Sequence, residues 1–415
     1  MSQGDWKRLD AVRRIKQATL TVVHAAQMLG VSERQVRRIV KRVGKLGVRG
    51  VVHGHTGRSP ANSLKAGVPK RIVKLMRTTY AGFNDKHFTE KLVEFEKIQV
   101  SRASVQRILR AAGIGAARKR RPPKHRRRRD RKSQAGMMIL WDGSRHDWLE
   151  GRGPMMCLMG AIDDATSEML PGAYFVEQEC AEGYLRVLLT IAQEKGLPWS
   201  AYMDRHSSLK RNDNFWTLEE ELRGKQDPTQ VLRALELLGI EVIYALSPQA
   251  KGRIERLWGT AQDRLTSELR LAKAKTVEEA NAVLRKYAPD HNRRFAVPAL
   301  DVEPAWLSVR KGVDPERVCS FRYEATVSND NAVRLAGAPV IDIPPSQTRQ
   351  SFAKARVEVR QLLDGSWRVY LKDVIIATAI RTAPGELRAL KGNKKRSAAA
   401  RAFRRGVQRV GTSLP

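Results

Sequence analysis

The sequence predicts a multidomain protein with N-terminal all-α units, a central α/β core built on a mixed sheet, and a small C-terminal β-barrel. Three observations support this. Basic helical faces fill roughly the first 115 residues, short apolar strands alternate with helices up to about residue 300, and alternating apolar and polar residues follow. With 415 residues, of which 42% are hydrophobic, the chain is long enough to bury several cores.

The charge of the chain points to a polyanionic partner. Lys and Arg number 77 against 43 Asp and Glu, which gives a formal net charge of +34. Nucleic acid is therefore the expected ligand. No apolar run approaches the roughly 18 residues of a membrane-spanning helix, and the N-terminus lacks a signal-peptide core, so we expect a soluble intracellular protein. The three cysteines lie far apart, which supports neither a disulfide framework nor a zinc site.

Residues 1–47 are predicted to form a helix-turn-helix DNA-binding domain. A short helix through Met28 is followed by a turn at Gly30 and by a new helix that begins at Ser32, which is the spacing of this motif. The alternative is a small helical bundle with a solvated basic face. The second helix leaves its basic residues outside, and we predict these as DNA contacts: Arg34, Arg37, Arg38 and Lys41.

Residues 48–67 are rich in Gly, Ser and Pro and are predicted to be a linker. Residues 68–115 then predict a second helix-turn-helix domain. Its last helix exposes three polar side chains as predicted DNA contacts: Arg102, Gln106 and Arg107. The two units together would bind two parts of one long DNA site.

Residues 116–134 form a strongly basic linker that cannot bury a core. It is either a solvated connection or a contact to the phosphate backbone, and its charge density favours the contact. We predict phosphate contacts from Arg126 and Arg127 within it.

Residues 135–300 are predicted to be the α/β core. The segment MMILWDG is a short apolar strand ending in Asp142, the second strand turns at Asp163 and Asp164, and WSAYMD delivers Asp204 at the end of a later strand. The order strand, strand, strand, helix, strand, helix, strand, helix indicates a mixed sheet flanked by helices, which is the ribonuclease H arrangement.

The segment 247–271 predicts a helix that carries a third acid, Glu255, in its first turn or two. Its apolar residues recur at helical spacing and form one buried stripe: Ile254, Leu257, Trp258, Ala261 and Leu265. Glu255 lies beside that stripe and would face the strand ends. Three cations flank it and are predicted to hold DNA ends: Lys251, Arg253 and Arg256.

Three converging carboxylates would repel one another unless a cation lay between them. Hard Mg²⁺ prefers oxygen ligands, and two such ions about 3.5 to 4 Å apart activate the attacking oxygen and stabilise the leaving oxygen at phosphorus. Each acid also has a simpler explanation. Asp142 and Asp204 could be turn formers, and Glu255 a helix-dipole charge. Three other acids could substitute as ligands: Asp147, Asp163 and Asp164. His206, close to Asp204, could contact phosphate or act in proton transfer, but a lone histidine near a metal site more often orients the metal ligands.

Four ordered motifs carry a family resemblance: DGSRHDWLEGRGP with AIDDATS, then YMDRHS, then SPQAKGRIERLWGTAQDRL, and finally HNRRFAVPA. Across most of residues 137–300 the chain resembles DDE insertion-sequence transposases of the ISNCY type, relatives of retroviral integrases. The resemblance implies that Asp142, Asp204 and Glu255 are the catalytic, metal-binding triad. The polar stretch LKRNDNFWTLEEELRGKQDPT departs from the pattern by lengthening the interval after Asp204.

The resemblance also implies an activity, a cofactor and partners. Such enzymes nick DNA at the element's ends with water and then attack target DNA with the freed 3′-hydroxyl, using Mg²⁺, for which Mn²⁺ can substitute. The expected partners are double-stranded DNA and further copies of the chain, at least a dimer on paired ends, without a membrane. The expected location is cytoplasmic, at the bacterial nucleoid. Two alternatives remain open, an inactive DNA-binding regulator with this fold and a hydrolase of RNA·DNA hybrids.

Residues 301–385 predict a small β-barrel from their alternating pattern and from turns at SNDN and LDGS. Its role is either that of the SH3-like barrel of integrase-like chains or that of a plain dimerisation module. Residues 386–415 form a basic, helix-prone tail that we expect to become ordered on DNA.

Overall fold

The computed structural model describes residues 1–53, 56–57, 64–65, 67–116, 129–211, 216–245, 252–346 and 349–387. The chain divides into two compact units, Met1–Arg71 and Ile72–Pro415. No helix among the described residues is long and apolar enough to cross a membrane. The predicted basic tail lies almost entirely outside the described residues.

The first unit is a three-helix structure. Its elements are α1 (Gln3–Lys16), α2 (Val22–Leu29), α3 (Glu33–Leu46) and a 3₁₀ turn (Gly47–Val51). Gly30 adopts a left-handed φ of 63° between α2 and α3, a conformation that glycine reaches without a steric penalty. The Ser32 side chain accepts the Gln35 N–H at 3.3 Å and so caps α3. The predicted helix, glycine turn and helix are confirmed.

The core of the second unit is a five-stranded mixed sheet of order β3-β2-β1-β4-β5. Its strands are β1 (Met138–His146), β2 (Met156–Asp163), β3 (Tyr174–Val176), β4 (Ser200–Met203) and β5 (Glu241–Tyr244). Strands β1, β2 and β3 are antiparallel, whereas β4 runs parallel to β1 and β5 parallel to β4. The predicted mixed sheet is confirmed. Strand β1 is longer than predicted and places Asp142 in its interior, because β2 pairs with it as far as His146.

Helices cover both faces of this sheet. They are α7 (Ala181–Glu194), α9 (Gln230–Leu238), α10 (Gly252–Leu271) and α11 (Val277–Phe295), while the short α8 (Leu218–Arg223) exposes its leucines. Trp141 packs with α7 and α9 on one face, and Leu140 packs with α10 and α11 on the other. Successive residues of β1 therefore pack into the cores on opposite faces of the sheet, as the two-residue period of a strand requires.

Three helices precede the sheet in the chain: α4 (Gly67–Arg77), α5 (Asp85–Glu94) and α6 (Arg102–Ala111). Helix α5 packs on α10 through charged side chains. Lys91 Nζ lies 2.7 Å from Glu268 Oε1, and Arg264 Nη1 lies 2.7 Å from Glu90 Oε2. These ion pairs join residues more than 170 positions apart, so local sequence patterns could not predict them.

The C-terminal part is a small β domain entered through α12 (Pro315–Val318). Its strands are β6 (Phe321–Thr326), β7 (Ala332–Val333), β8 (Ile341–Asp342), β9 (Arg356–Gln361), β10 (Trp367–Leu371) and β11 (Val374–Ala379). An antiparallel sheet of order β11-β10-β9-β6 and the ribbon β7-β8 share one core that includes Val333, Ile341 and Trp367. The predicted small C-terminal β domain is confirmed.

Candidate active site

Asp142 lies in β1, and Asp204 directly follows the neighbouring parallel strand β4. Leu140 pairs with Tyr202, so the register offset between β1 and β4 is 62 positions, the same offset that separates Asp142 from Asp204. Leu140 and Tyr202 both belong to the core that α10 covers. Because side chains alternate along a strand, Asp142 follows Leu140 on the α10 side of the sheet, and Asp204 comes one residue after the end of β4.

Helix α10 is held over this position by Trp258. The indole Nε1 donates to Asp142 Oδ2 at 3.3 Å. Opposite Asp142 on β2 is Gly160, where an added Cβ would lie 3.1 Å from the Trp258 ring, so the absence of a side chain leaves room for the indole. Glu255 lies three residues before Trp258, nearly one turn earlier on α10, and is exposed.

The donor chemistry of these acids fits a hard divalent cation, because carboxylate oxygens are its preferred protein ligands. Within the described part of the chain, however, no three His, Cys, Asp or Glu side chains are grouped closely enough to hold a metal ion. Asp142 lies on β1, Asp204 directly follows the adjacent strand β4, and Glu255 lies on α10, which packs on β1. The three-ligand site itself remains a prediction.

Glu179, just before α7, is an acid of this region that sequence reasoning missed. Its Oε1 accepts the Tyr184 hydroxyl at 2.5 Å and lies 3.3 Å from His206 Nδ1. The backbone N–H of His206 in turn donates to Asp204 Oδ1 at 2.9 Å. A Cβ added at Gly143 would lie 2.8 Å from Glu179 Oε2, so the carboxylate rests against the backbone next to Asp142.

Burial, and after it the nearby carboxylates, raise the pKa of two neighbouring groups. Burial, reinforced by the carboxylates of Glu179 and Asp142, raises the pKa of the Cys157 thiol to about 12. Burial and then the Glu179 carboxylate raise the pKa of Tyr184 well above its usual value. Both groups are therefore protonated at neutral pH, and Tyr184 remains a hydrogen-bond donor to Glu179.

The other candidate acids make structural bonds. Asp163 is buried and accepts hydrogen bonds from Gly136 N at 2.8 Å and from both the backbone and side chain of Thr166, while burial raises its pKa. Asp147 accepts the Gly151 N–H at 3.1 Å in a turn. These contacts favour a structural role for both.

Asp164 is fully buried and ties three separate segments together. It accepts Arg129 Nη2 at 2.5 Å, the Lys132 N–H at 2.8 Å, and the guanidinium of Arg253. Arg253 also donates to Arg129 O at 2.7 Å. The Arg253 charge, predicted to hold DNA, is thus engaged inside the protein, where it fixes the first turn of α10.

The predicted DNA contacts fall into three groups. Those on α3 and α6 and the one at the start of α10 are exposed: Arg34, Arg37, Arg38, Lys41, Arg102, Gln106, Arg107 and Arg256. Arg37 forms an ion pair with Glu33 at 2.9 Å, and Arg38 and Lys41 line an open cavity of about 460 Å³. Arg253 is the engaged residue already described. The remaining three lie outside the described residues: Arg126, Arg127 and Lys251.

Comparison with known proteins gives a family match and two curated relatives. A family model described as a winged helix-turn helix matches residues 8–79. The chain is 35% identical over 297 residues to the putative transposase y4bF of Sinorhizobium fredii, covering 72% of this chain and 63% of that relative. It is 32% identical over 327 residues to the transposase for insertion sequence IS1202 of Streptococcus pneumoniae, covering 70% of this chain and 68% of the relative.

Solved structures show more distant likenesses. The catalytic core domain of BIV integrase is 16% identical, with 36% of this chain and 80% of that chain covered, at a TM-score of 0.26. A chain of the simian T-cell lymphotropic virus intasome is 14% identical, with 77% of this chain and 100% of that chain covered, at a TM-score of 0.30.

Proposed function

The chain belongs to the insertion-sequence transposases, and on that premise we propose that it binds the terminal inverted repeats of an insertion sequence, nicks the DNA there by hydrolysis, and joins the 3′-hydroxyl ends to target DNA. The observation that best supports this proposal is that Asp142, in β1, accepts a hydrogen bond from Trp258 of the helix that bears Glu255, while Asp204 directly follows β4, the strand next to β1. The net charge of +34 supports DNA as the substrate.

We assign Asp142, Asp204 and Glu255 as the ligands of Mg²⁺, for which Mn²⁺ would substitute. When bound, such ions supply Lewis-acid activation of the attacking oxygen and stabilisation of the leaving oxygen. The chain itself orients the donors. Trp258 holds one oxygen of Asp142, and the His206 amide holds one oxygen of Asp204, so both carboxylates are positioned by hydrogen bonds.

The exposed basic faces of α3 and α6 are assigned to DNA recognition, and the assembly on paired element ends is at least a dimer. Two ends must be brought together for joining, and each active site acts on one strand end. Sedimentation of the full chain with paired-end DNA is expected to give a complex that contains two or more copies. A complex with one copy of the chain would contradict the assembly.

The test of the function is a nicking assay with the purified full chain and duplex DNA that carries the element ends, in Mg²⁺ or Mn²⁺. Nicking at the ends is the expected result. A chain that binds these ends without cutting them in either cation is an inactive regulator. A chain that cuts RNA·DNA hybrids in preference to duplex DNA is a hydrolase of hybrids.

Glu179 is expected to matter for nicking although it is not one of the three assigned ligands. The substitution Glu179→Gln removes a negative charge next to His206, whose N–H binds Asp204, and next to Gly143, which follows Asp142 in β1. We expect nicking to fall about 10- to 100-fold, the usual effect of losing a group that orients metal ligands. Mn²⁺ should also bind the full-length variant more weakly, as measured by titration followed by electron paramagnetic resonance.

The matched control is Glu177→Gln, which removes an exposed acid two residues away. It should leave both nicking and Mn²⁺ binding unchanged. Glu179→Asp, which keeps the charge, should restore part of the activity. Equal losses for Glu177→Gln and Glu179→Gln would show that only the net charge of the surface matters.

A further inference from the structure

A second basic cleft lies where α9 meets the edge of the C-terminal β domain. Two open cavities of about 360 and 820 Å³ share the side chains of Arg322, Glu324 and Arg356 and so form one continuous depression. We call it the junction cleft and define it by six residues: Arg223, Asp227, Arg233, Arg322, Glu324 and Arg356.

Positive charge exceeds negative charge in the junction cleft. Four of the six residues are arginines and two are acids. Arg223 is paired with Asp227 at 2.9 Å, but no ion pair is found for the exposed Arg356 within the described part of the chain. The charge of Arg356 is therefore available to a ligand.

The inner wall of the cleft is nearly balanced in charge. Glu358, which lines the smaller cavity, lies between three arginines: Arg317, Arg322 and Arg360. Arg317 also pairs with Asp373, and Arg322 also pairs with Glu324. Arg233 is buried, and its Nη2 donates to Ser320 O at 2.6 Å. Its Nε and Nη1 have no hydrogen-bond partner among the described residues. Burial, and then repulsion from Arg360 and Arg322, lower the pKa of Arg233 to about 9. An anion in the cleft would offset this repulsion.

We propose that the junction cleft is a binding site for the phosphodiester backbone of DNA, held first by Arg356, with Arg322 beside it and the buried, incompletely hydrogen-bonded Arg233 behind them. The planar guanidinium group matches phosphate oxygens in a bidentate manner. The cleft is much larger than one small anion needs, whereas a DNA strand presents a charge about every 3.4 Å and can follow it. This site rests on the proposed function and lies apart from the contacts assigned to α3 and α6.

The test measures the salt dependence of binding. Affinity of the full chain for a random-sequence duplex is measured by fluorescence anisotropy over a series of salt concentrations, because backbone contacts do not depend on sequence. Arg356→Gln is expected to weaken binding and to reduce the slope of log affinity against log salt by about 0.9, the value for one phosphate contact. Arg322→Gln should act in the same direction.

Arg381→Gln is the control, because Arg381 is an exposed arginine that follows β11, at the opposite edge of the same sheet from β6. It should leave the slope unchanged. Unchanged slopes for both Arg356→Gln and Arg322→Gln, or an equal reduction for Arg381→Gln, would overturn the junction cleft as a site. A wild-type chain that binds no duplex at all would instead overturn the proposed function, and the cleft proposal with it.

Discussion

Asp142→Asn is expected to reduce the rate of nicking of end-bearing DNA by about 1000-fold or more, while DNA binding stays at the wild-type level. A loss of that size corresponds to about 4 kcal/mol of transition-state stabilisation. Asparagine keeps the shape of the side chain and an oxygen for the Trp258 N–H, so the packing of α10 on β1 is retained. It removes the negative charge that a hard cation requires. Nicking is followed by gel electrophoresis, and binding by anisotropy.

Asp147→Asn is the matched control for this substitution. It makes the same chemical change one residue beyond β1, where Asp147 accepts a hydrogen bond in a turn. Nicking should remain within a few-fold of wild type. Glu255→Gln should reproduce the loss seen for Asp142→Asn. If Asp142→Asn cuts as fast as wild type, the assignment of the triad is wrong.

Asp164→Ala is expected to lower the free energy of unfolding by about 3–5 kcal/mol, the range for breaking a buried ion pair by removing one partner. The Asp164 side chain is completely buried and accepts hydrogen bonds from Arg129 and Arg253. Removing it leaves the Arg253 guanidinium, which is only 12% exposed, without its anion. The measurement is urea denaturation followed by tryptophan fluorescence, because Trp141 and Trp148 are buried in the core of the sheet.

The comparison for Asp164→Ala is Glu168→Gln, which breaks a more exposed ion pair. Glu168 lies 2.8 Å from Lys195, and their side chains are 29% and 34% exposed. Such pairs contribute about 0–1 kcal/mol, so the transition should move little. Equal decreases in the free energy of unfolding for the two variants would mean that Asp164 contributes no more to stability than an exposed ion pair does.

The sequence predicted the features that local patterns encode. Two short apolar runs predicted strands that bring Asp142 and Asp204 to the same sheet, and helical periodicity predicted that Glu255 lies on a helix. The turn at Gly30 followed from the short spacing of two helices. In each case the interactions that decide the structure join residues close in the chain or repeat at a fixed period.

The features that were missed depend on contacts between distant segments. Glu179 has no periodic signal, and its role appears only when β1, α7 and the loop after β4 meet at His206 and Gly143. Asp164 was considered as a metal ligand because its partners, Arg129 and Arg253, lie 35 and 89 positions away in the chain. The end of β1 was misplaced because pairing with β2, rather than its own composition, decides its length.

The packing of α5 on α10 has a mechanical consequence. Lys91 is buried against Glu268, and pulling the helices apart would leave both charges uncompensated. Helix α5 and the helix that bears Glu255 therefore move together, and α6 is joined to α5 by the ion pair of Arg110 with Asp85 at 2.5 Å. If α6 contacts bases as proposed, this packing fixes the distance between those bases and the phosphodiester bond that is cut.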